Sequence, residues 1–101
     1  MSHQRIRTAN NRDGFLTPDL DFESSQAVVA GDQVFLMGCT GLTLDGKGFI
    51  GEGDPAAQAE QAMRNMQILL EEAGAQMEDI CLINNFTTNR TDREQVYPVV
   101  A

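Results

Sequence analysis

The sequence predicts an α+β domain, and three observations carry that prediction. Two short apolar runs, Ala27–Ala30 and Val34–Met37, flank Gly31-Asp32, which is the pattern of a β-hairpin. Residues 55–73 carry apolar side chains at spacings of three and four, the period of an amphipathic helix. A further apolar run, Ile80–Thr87, follows that helix and reads as another strand.

Taken in order, the chain opens on a short strand at Arg5–Thr8. It continues through a turn-rich stretch marked by Asn10-Asn11, Asp13-Gly14 and Thr17-Pro18. In the hairpin that follows, Val34-Phe35-Leu36-Met37 is apolar on both faces, so this strand is expected to be central and covered on both sides. Residues 38–53 form a glycine-rich loop containing Asp45-Gly46 and Gly48. Asp54-Pro55 then supplies an N-cap and a first-turn proline, and Gly74 stands where a helix-ending glycine belongs. The face Ala62, Met66, Leu69, Leu70 is expected to be buried. After the strand Ile80–Thr87, Thr91-x-x-Glu94 matches a capping box and starts a second helix, which Pro98 should kink or end. The chain closes on Pro98-Val99-Val100-Ala101, and an apolar close of this kind predicts a domain whose C-terminal part is not in the sequence.

A chain of 101 residues is one domain by length, here 1–101. It holds 7 Lys+Arg against 15 Asp+Glu, a net charge of −8. That balance opposes a general nucleic-acid binder, whose footprint is basic. No apolar run approaches the ~20 residues of a membrane helix, so no membrane partner is expected. The first residues, Met-Ser-His-Gln-Arg, contain no secretory signal. Two cysteines without a signal suit free thiols in a reducing, cytoplasmic compartment. The arm bearing His3, Arg5, Arg7 and Arg12 reads either as a solvated first strand or as a contact for a partner.

Several motifs are weak when weighed singly. Gly41-x-x-x-x-Gly46-Lys47 nearly matches a phosphate loop, but Gly48 stands where Ser or Thr should follow; a hairpin loop explains the same residues. Cys39, at a strand end, is a candidate nucleophile without a nearby histidine, or a semi-buried small residue. Cys81 reads as core. Two cysteines and one histidine make no zinc site. Asn85-Phe86-Thr87 and Asn89-Arg90-Thr91 match the glycosylation pattern by chance. Asn84 and Asn85 disfavour a strand, so they either line a cleft or mark an edge or subunit contact. Met63 and Met66 read as core.

Four segments in order resemble the RidA/YjgF family of enamine/imine deaminases, also labelled endoribonuclease L-PSP and translation inhibitor. Ser25-Gln26-Ala27-Val28 resembles the family's Tyr-Ser-Gln-Ala start. Gly31–Gly38 resembles its Gly-Asn-x-Val-Phe-x-Ser-Gly strand. Gln58, Gln61-Ala62, Asn65 and Leu69–Gly74 resemble its long helix. Glu78-Asp79-Ile80 through Phe86-x-Thr88 resembles its Asp-Val strand and Phe-x-Thr.

The resemblance implies a chorismate-mutase-like fold, with a mixed β-sheet, two helices packed on one face, and a homotrimer with clefts at the subunit interfaces. It implies hydrolysis of a reactive enamine or imine, such as 2-aminoacrylate, to a carbonyl product and ammonia, with no metal or cofactor. The partner is a small carboxylate-bearing substrate. A non-catalytic module that binds a small carboxylate on the same scaffold is the alternative. The implied substrate-binding positions are Ser24, Met37, Gly38, Cys39, Thr40, Phe86 and Glu94. Ser24 replaces the family's cleft Tyr, Met37 replaces the Ser of its Ser-Gly, and Glu94 aligns to an Asn. The family's catalytic Arg and late Glu match no residue of 1–101. These departures predict a roomier, less polar pocket, suited to a larger imine or an amino-dienoate rather than 2-aminoacrylate.

Overall fold

Backbone chemistry divides the described residues into a three-stranded sheet, a long helix and a C-terminal stretch that ends in a second helix. The computed structural model describes residues 3–8 and 25–101. The turn-rich segment, with Arg12 and Ser24, lies outside the described residues.

Strands β1 (His3–Ile6), β2 (Ala27–Ala30) and β3 (Gln33–Leu36) form an antiparallel sheet in the order β1-β2-β3. The first strand therefore sits two residues earlier than Arg5–Thr8. Gly31, at φ +62°, makes the two-residue turn between β2 and β3, a conformation that favours glycine. The register sets Ile6 beside Ala27 and Ala27 beside Leu36. These three side chains share one face of the sheet and meet Leu69 in the core.

Helix α1 (Pro55–Glu72) lies against that face. Asp54 caps it, accepting a hydrogen bond from the Ala57 N–H at 3.2 Å. At its other end, Ala75 N–H donates to Leu70 and Gly74 N–H donates to Glu71, with Gly74 at φ +88°. This pair of bonds is the Schellman closure that glycine favours. Leu69 is fully buried (0% exposed) and Leu70 is buried, as the spacing predicts. Ala62 and Met66 are only half-buried, because the inward stripe turns polar there and is filled by Asn65. Burying a Leu side chain such as Leu69 stabilises by ~1.5–3 kcal/mol.

Three expectations need correction. Strand β3 is at the edge of the described sheet rather than at its centre, and its outer face is open: Phe35 is 56% exposed. Ile80–Thr87 is not a strand, so the described sheet is antiparallel rather than mixed. An apolar run becomes a strand only when a neighbour accepts its hydrogen bonds, and no such neighbour stands beside this one among the described residues. Cys81, expected in the core, is accordingly exposed.

The capping box at Thr91 does not form. Asn89 instead accepts from the Thr91 N–H at 3.0 Å and its hydroxyl at 2.8 Å, opening a 3₁₀ turn over Arg90–Asp92. Helix α2 (Arg93–Val100) follows, buries Val96 and packs on α1. It runs two residues past Pro98. No helix among the described residues is long and apolar enough to cross a membrane.

Candidate functional site

The end of β3 is held by contacts from three directions. The Met37 N–H donates to Gln26 at 2.8 Å, and the Gln26 N–H donates to Ile6 at 2.8 Å, so the sheet continues one rung beyond its strands. After Met37 the chain leaves the sheet. The N–H groups of Gly38, Cys39 and Thr40 find no hydrogen-bond acceptor among the described residues. Gly38 is exposed, and a Cβ placed on it would meet nothing within 4 Å among the described residues. Its φ lies outside the left-handed region. Neither space nor backbone conformation within the chain therefore demands glycine at 38.

Cys39 turns its side chain inward. It packs against the cluster of Ile6, Ala27 and Leu69 and donates weakly to the Met37 carbonyl at 3.5 Å. Burial pushes its thiol above the ordinary range, which keeps it protonated at neutral pH. A nucleophilic thiolate needs the opposite shift, so the small half-buried residue is the reading that fits. Thr40 is exposed, and its hydroxyl accepts from the Leu42 N–H at 3.1 Å.

The loop beyond is closed on itself. Leu42 pairs with Phe49, and the Ile50 N–H donates to Gly41 at 2.8 Å. At the tip, Asp45 accepts from the Thr43 hydroxyl at 2.7 Å and the Lys47 N–H at 2.9 Å. The hydrogen bond from Thr43, then that from Lys47, holds the Asp45 carboxyl below its usual range. A phosphate loop would leave such N–H groups open for its ligand, whereas these donate to the loop's own acceptors. The hairpin reading therefore stands. Gly41 is a glycine that sterics demand, since a Cβ there would lie 2.5 Å from the Ile50 carbonyl oxygen.

Helix α1 grips this loop through polar side chains. Asn65, 3% exposed, donates from Nδ2 to the Thr40 carbonyl at 3.2 Å and the Leu42 carbonyl at 2.6 Å. Its Oδ1 accepts from Gln61 Nε2 at 2.9 Å. One turn earlier, Gln58 Nε2 donates to the Gly51 carbonyl at 2.7 Å. Sequence reasoning quoted these residues as part of a helix pattern and gave them no task. The available signal was a buried-side Asn and two Gln on the stripe that Leu69 continues.

Of the expected site residues, Met37, Gly38, Cys39 and Thr40 are consecutive at the strand end. Phe86 is 92% exposed in the stretch after residue 80, which forms neither helix nor strand. Glu94 is exposed on α2. It lines a shallow concavity with Arg90, Arg93, Tyr97 and Pro98, in which the Arg93 guanidinium stands 5.2 Å from the Tyr97 ring centre. None of residues 37–40 lines that concavity.

Comparison with known proteins bears on this arrangement. A family model described as endoribonuclease L-PSP matches residues 19–101. A curated protein of Dermatophagoides farinae, 2-iminobutanoate/2-iminopropanoate deaminase, is 35% identical over 68 residues. The aligned part is 67% of this chain and 52% of the relative, so the chain spans about half the length of that protein. No solved structure matches. The family match runs through the hairpin, the glycine-rich loop and both helices, and on it the chain belongs to the endoribonuclease L-PSP family, the RidA/YjgF family.

Proposed function

We propose that this protein hydrolyses a small enamine or imine bearing a carboxylate, with no metal or cofactor, at the turn that ends β3. One observation carries the reading: Gly38, Cys39 and Thr40 present consecutive backbone N–H groups with no acceptor among the described residues. Fixed N–H donors suit a carboxylate, because they bind the anion without having to titrate. The related mite protein is named for 2-imino acids, which carry that carboxylate beside the reacting C=N bond.

In this reading the strand end holds the carboxylate and so fixes the position of the imine carbon. Water adds to that carbon, forming a C–O bond while the C=N electron pair moves to nitrogen and takes a proton. Collapse of the resulting carbinolamine forms the carbonyl and breaks the C–N bond, releasing ammonia. Met37 and Phe86 supply exposed apolar wall, and Ser24, Thr40 and Glu94 supply its polar groups. A second copy of the chain completes the cleft in a homotrimer. Support for the assembly comes from the open outer face of the sheet, where Phe35 and Met37 leave more apolar surface than suits a lone small domain. The net charge of −8 favours a small substrate over an RNA strand.

The test is release of ammonia and 2-oxobutanoate from 2-iminobutanoate generated in solution. Acceleration over the spontaneous reaction supports the reading. Binding of 2-oxobutanoate without acceleration supports the module that binds a carboxylate and leaves it unchanged. Light scattering tests the assembly, and a monomer at micromolar concentration would remove the interfacial cleft.

A further inference from the structure

The buried carboxamide of Asn65 has both its donors and one acceptor direction of its oxygen committed. Both Nδ2 protons go to backbone carbonyls of the strand-end loop, 25 and 23 residues away in sequence, and Oδ1 is held by Gln61. Two carbonyl partners require the amide nitrogen on their side, which fixes the orientation of the group. Because a trans peptide is planar, holding the Thr40 carbonyl toward α1 turns the Gly41 N–H the opposite way. Holding the Leu42 carbonyl does the same for the Thr43 N–H, which donates to Gly48. Asn65 therefore sets the planes of the 40–41 and 42–43 peptides, which follow the N–H groups of residues 38–40 that have no acceptor among the described residues. Apolar packing alone would be better served by Leu at this position, since a buried amide is tolerated only when its bonds are made.

We infer that Asn65 is a positioning residue: it orients the 38–42 turn so that its backbone N–H groups face a carboxylate ligand. The inference rests on the proposed function for its ligand but not for its geometry. Gln61 acts through Asn65 by holding Oδ1. A residue in this role governs ligand affinity more than it governs the chemical step.

The experiment compares the unmodified full chain with Asn65→Leu, which keeps bulk and burial but loses both donors, and with Gln61→Leu, which leaves Asn65 in place but frees its carboxamide. Hydrogen exchange at Leu42 and Thr43 is followed alongside KM and kcat for 2-iminobutanoate. Asn65→Leu should speed exchange at Leu42 and Thr43, whose N–H groups are hydrogen-bonded, roughly tenfold or more while α1 stays protected, the scale of one lost hydrogen bond. KM should rise by about the same factor with kcat within about threefold, and Gln61→Leu should shift both in the same direction by less. Unchanged exchange at Leu42 and Thr43, or loosening spread evenly over α1 and the sheet, would overturn the inference, as would a fall in kcat at constant KM. If Asn65→Leu does not fold, Gln61→Leu decides by the same exchange criterion. If the unmodified protein neither turns over 2-iminobutanoate nor binds 2-oxobutanoate, the proposed function fails while the exchange pattern still decides the role of Asn65.

Discussion

The inward stripe of α1 does two different jobs in its two halves. Its C-terminal half, Leu69 and Leu70, packs by apolar contact, with Leu69 meeting the sheet. Its N-terminal half, Gln58, Gln61 and Asn65, bonds to carbonyls and carboxamide groups around the glycine-rich loop. Apolar contact is non-directional, so the sheet half fixes where the helix lies but tolerates small adjustments. Hydrogen bonds are directional, so the loop half fixes which way individual peptides point. A site built from backbone N–H groups depends on the second kind of contact, and here the two kinds occupy successive turns of one helix.

Substitutions can separate the two halves. Leu69→Ala should have the largest effect, a loss of ~2–5 kcal/mol in chemical denaturation, because it empties a fully buried position. A loss under about 0.5 kcal/mol would remove the assignment of that face. Asn65→Ala should cost about 1–3 kcal/mol, chiefly by leaving two carbonyls short of a donor. Gln58→Ala should cost about 1 kcal/mol, since it removes one such bond at a half-buried site. Phe86→Ser should change stability by less than about 0.5 kcal/mol while its ring is exposed. A larger loss that grows with protein concentration would show that another copy covers the ring.

The smallest effect concerns pH. Asp45 is held below its usual range by Thr43 and Lys47, so its contribution to the loop tip is present above the ordinary carboxylate value. It fades as pH falls through the lowered one. Amide exchange at residues 46–48, corrected for its intrinsic pH dependence, should show protection falling over that acid window and constant above it.

How much of this was legible in the sequence follows from the range of each interaction. Asp54-Pro55 and Gly74 announce the ends of α1 because their partners lie within a turn of them. The Gly31-Asp32 turn is equally local. Asn65 was readable as a polar residue on an apolar stripe, but its partners are backbone carbonyls, which every residue has and no pattern marks. Ile80–Thr87 misled for the same reason in reverse: its composition suits a strand, but strand formation is decided by a neighbour. Asn89 displaced Thr91 as the cap because Asn is the better acceptor at such a position, and its side chain takes both the Thr91 N–H and the Thr91 hydroxyl. Of the site, residues 37–40 were legible as a strand end. Cys39 was legible as a semi-buried small residue, but its packing beside Leu69 was not, because that depends on where the helix sits.

The central claim is that the strand end at Gly38 receives the substrate carboxylate, and Gly38→Val tests it most directly. The described residues leave open space at that position and the backbone there does not require glycine, so fold and oligomeric state should survive the change. The branched side chain would then occupy the approach to the N–H groups. The account predicts an unchanged circular dichroism spectrum and light-scattering mass, with hydrolysis of 2-iminobutanoate and binding of 2-oxobutanoate reduced by roughly tenfold or more. Turnover and binding equal to those of the unmodified protein would contradict it and place the cleft elsewhere.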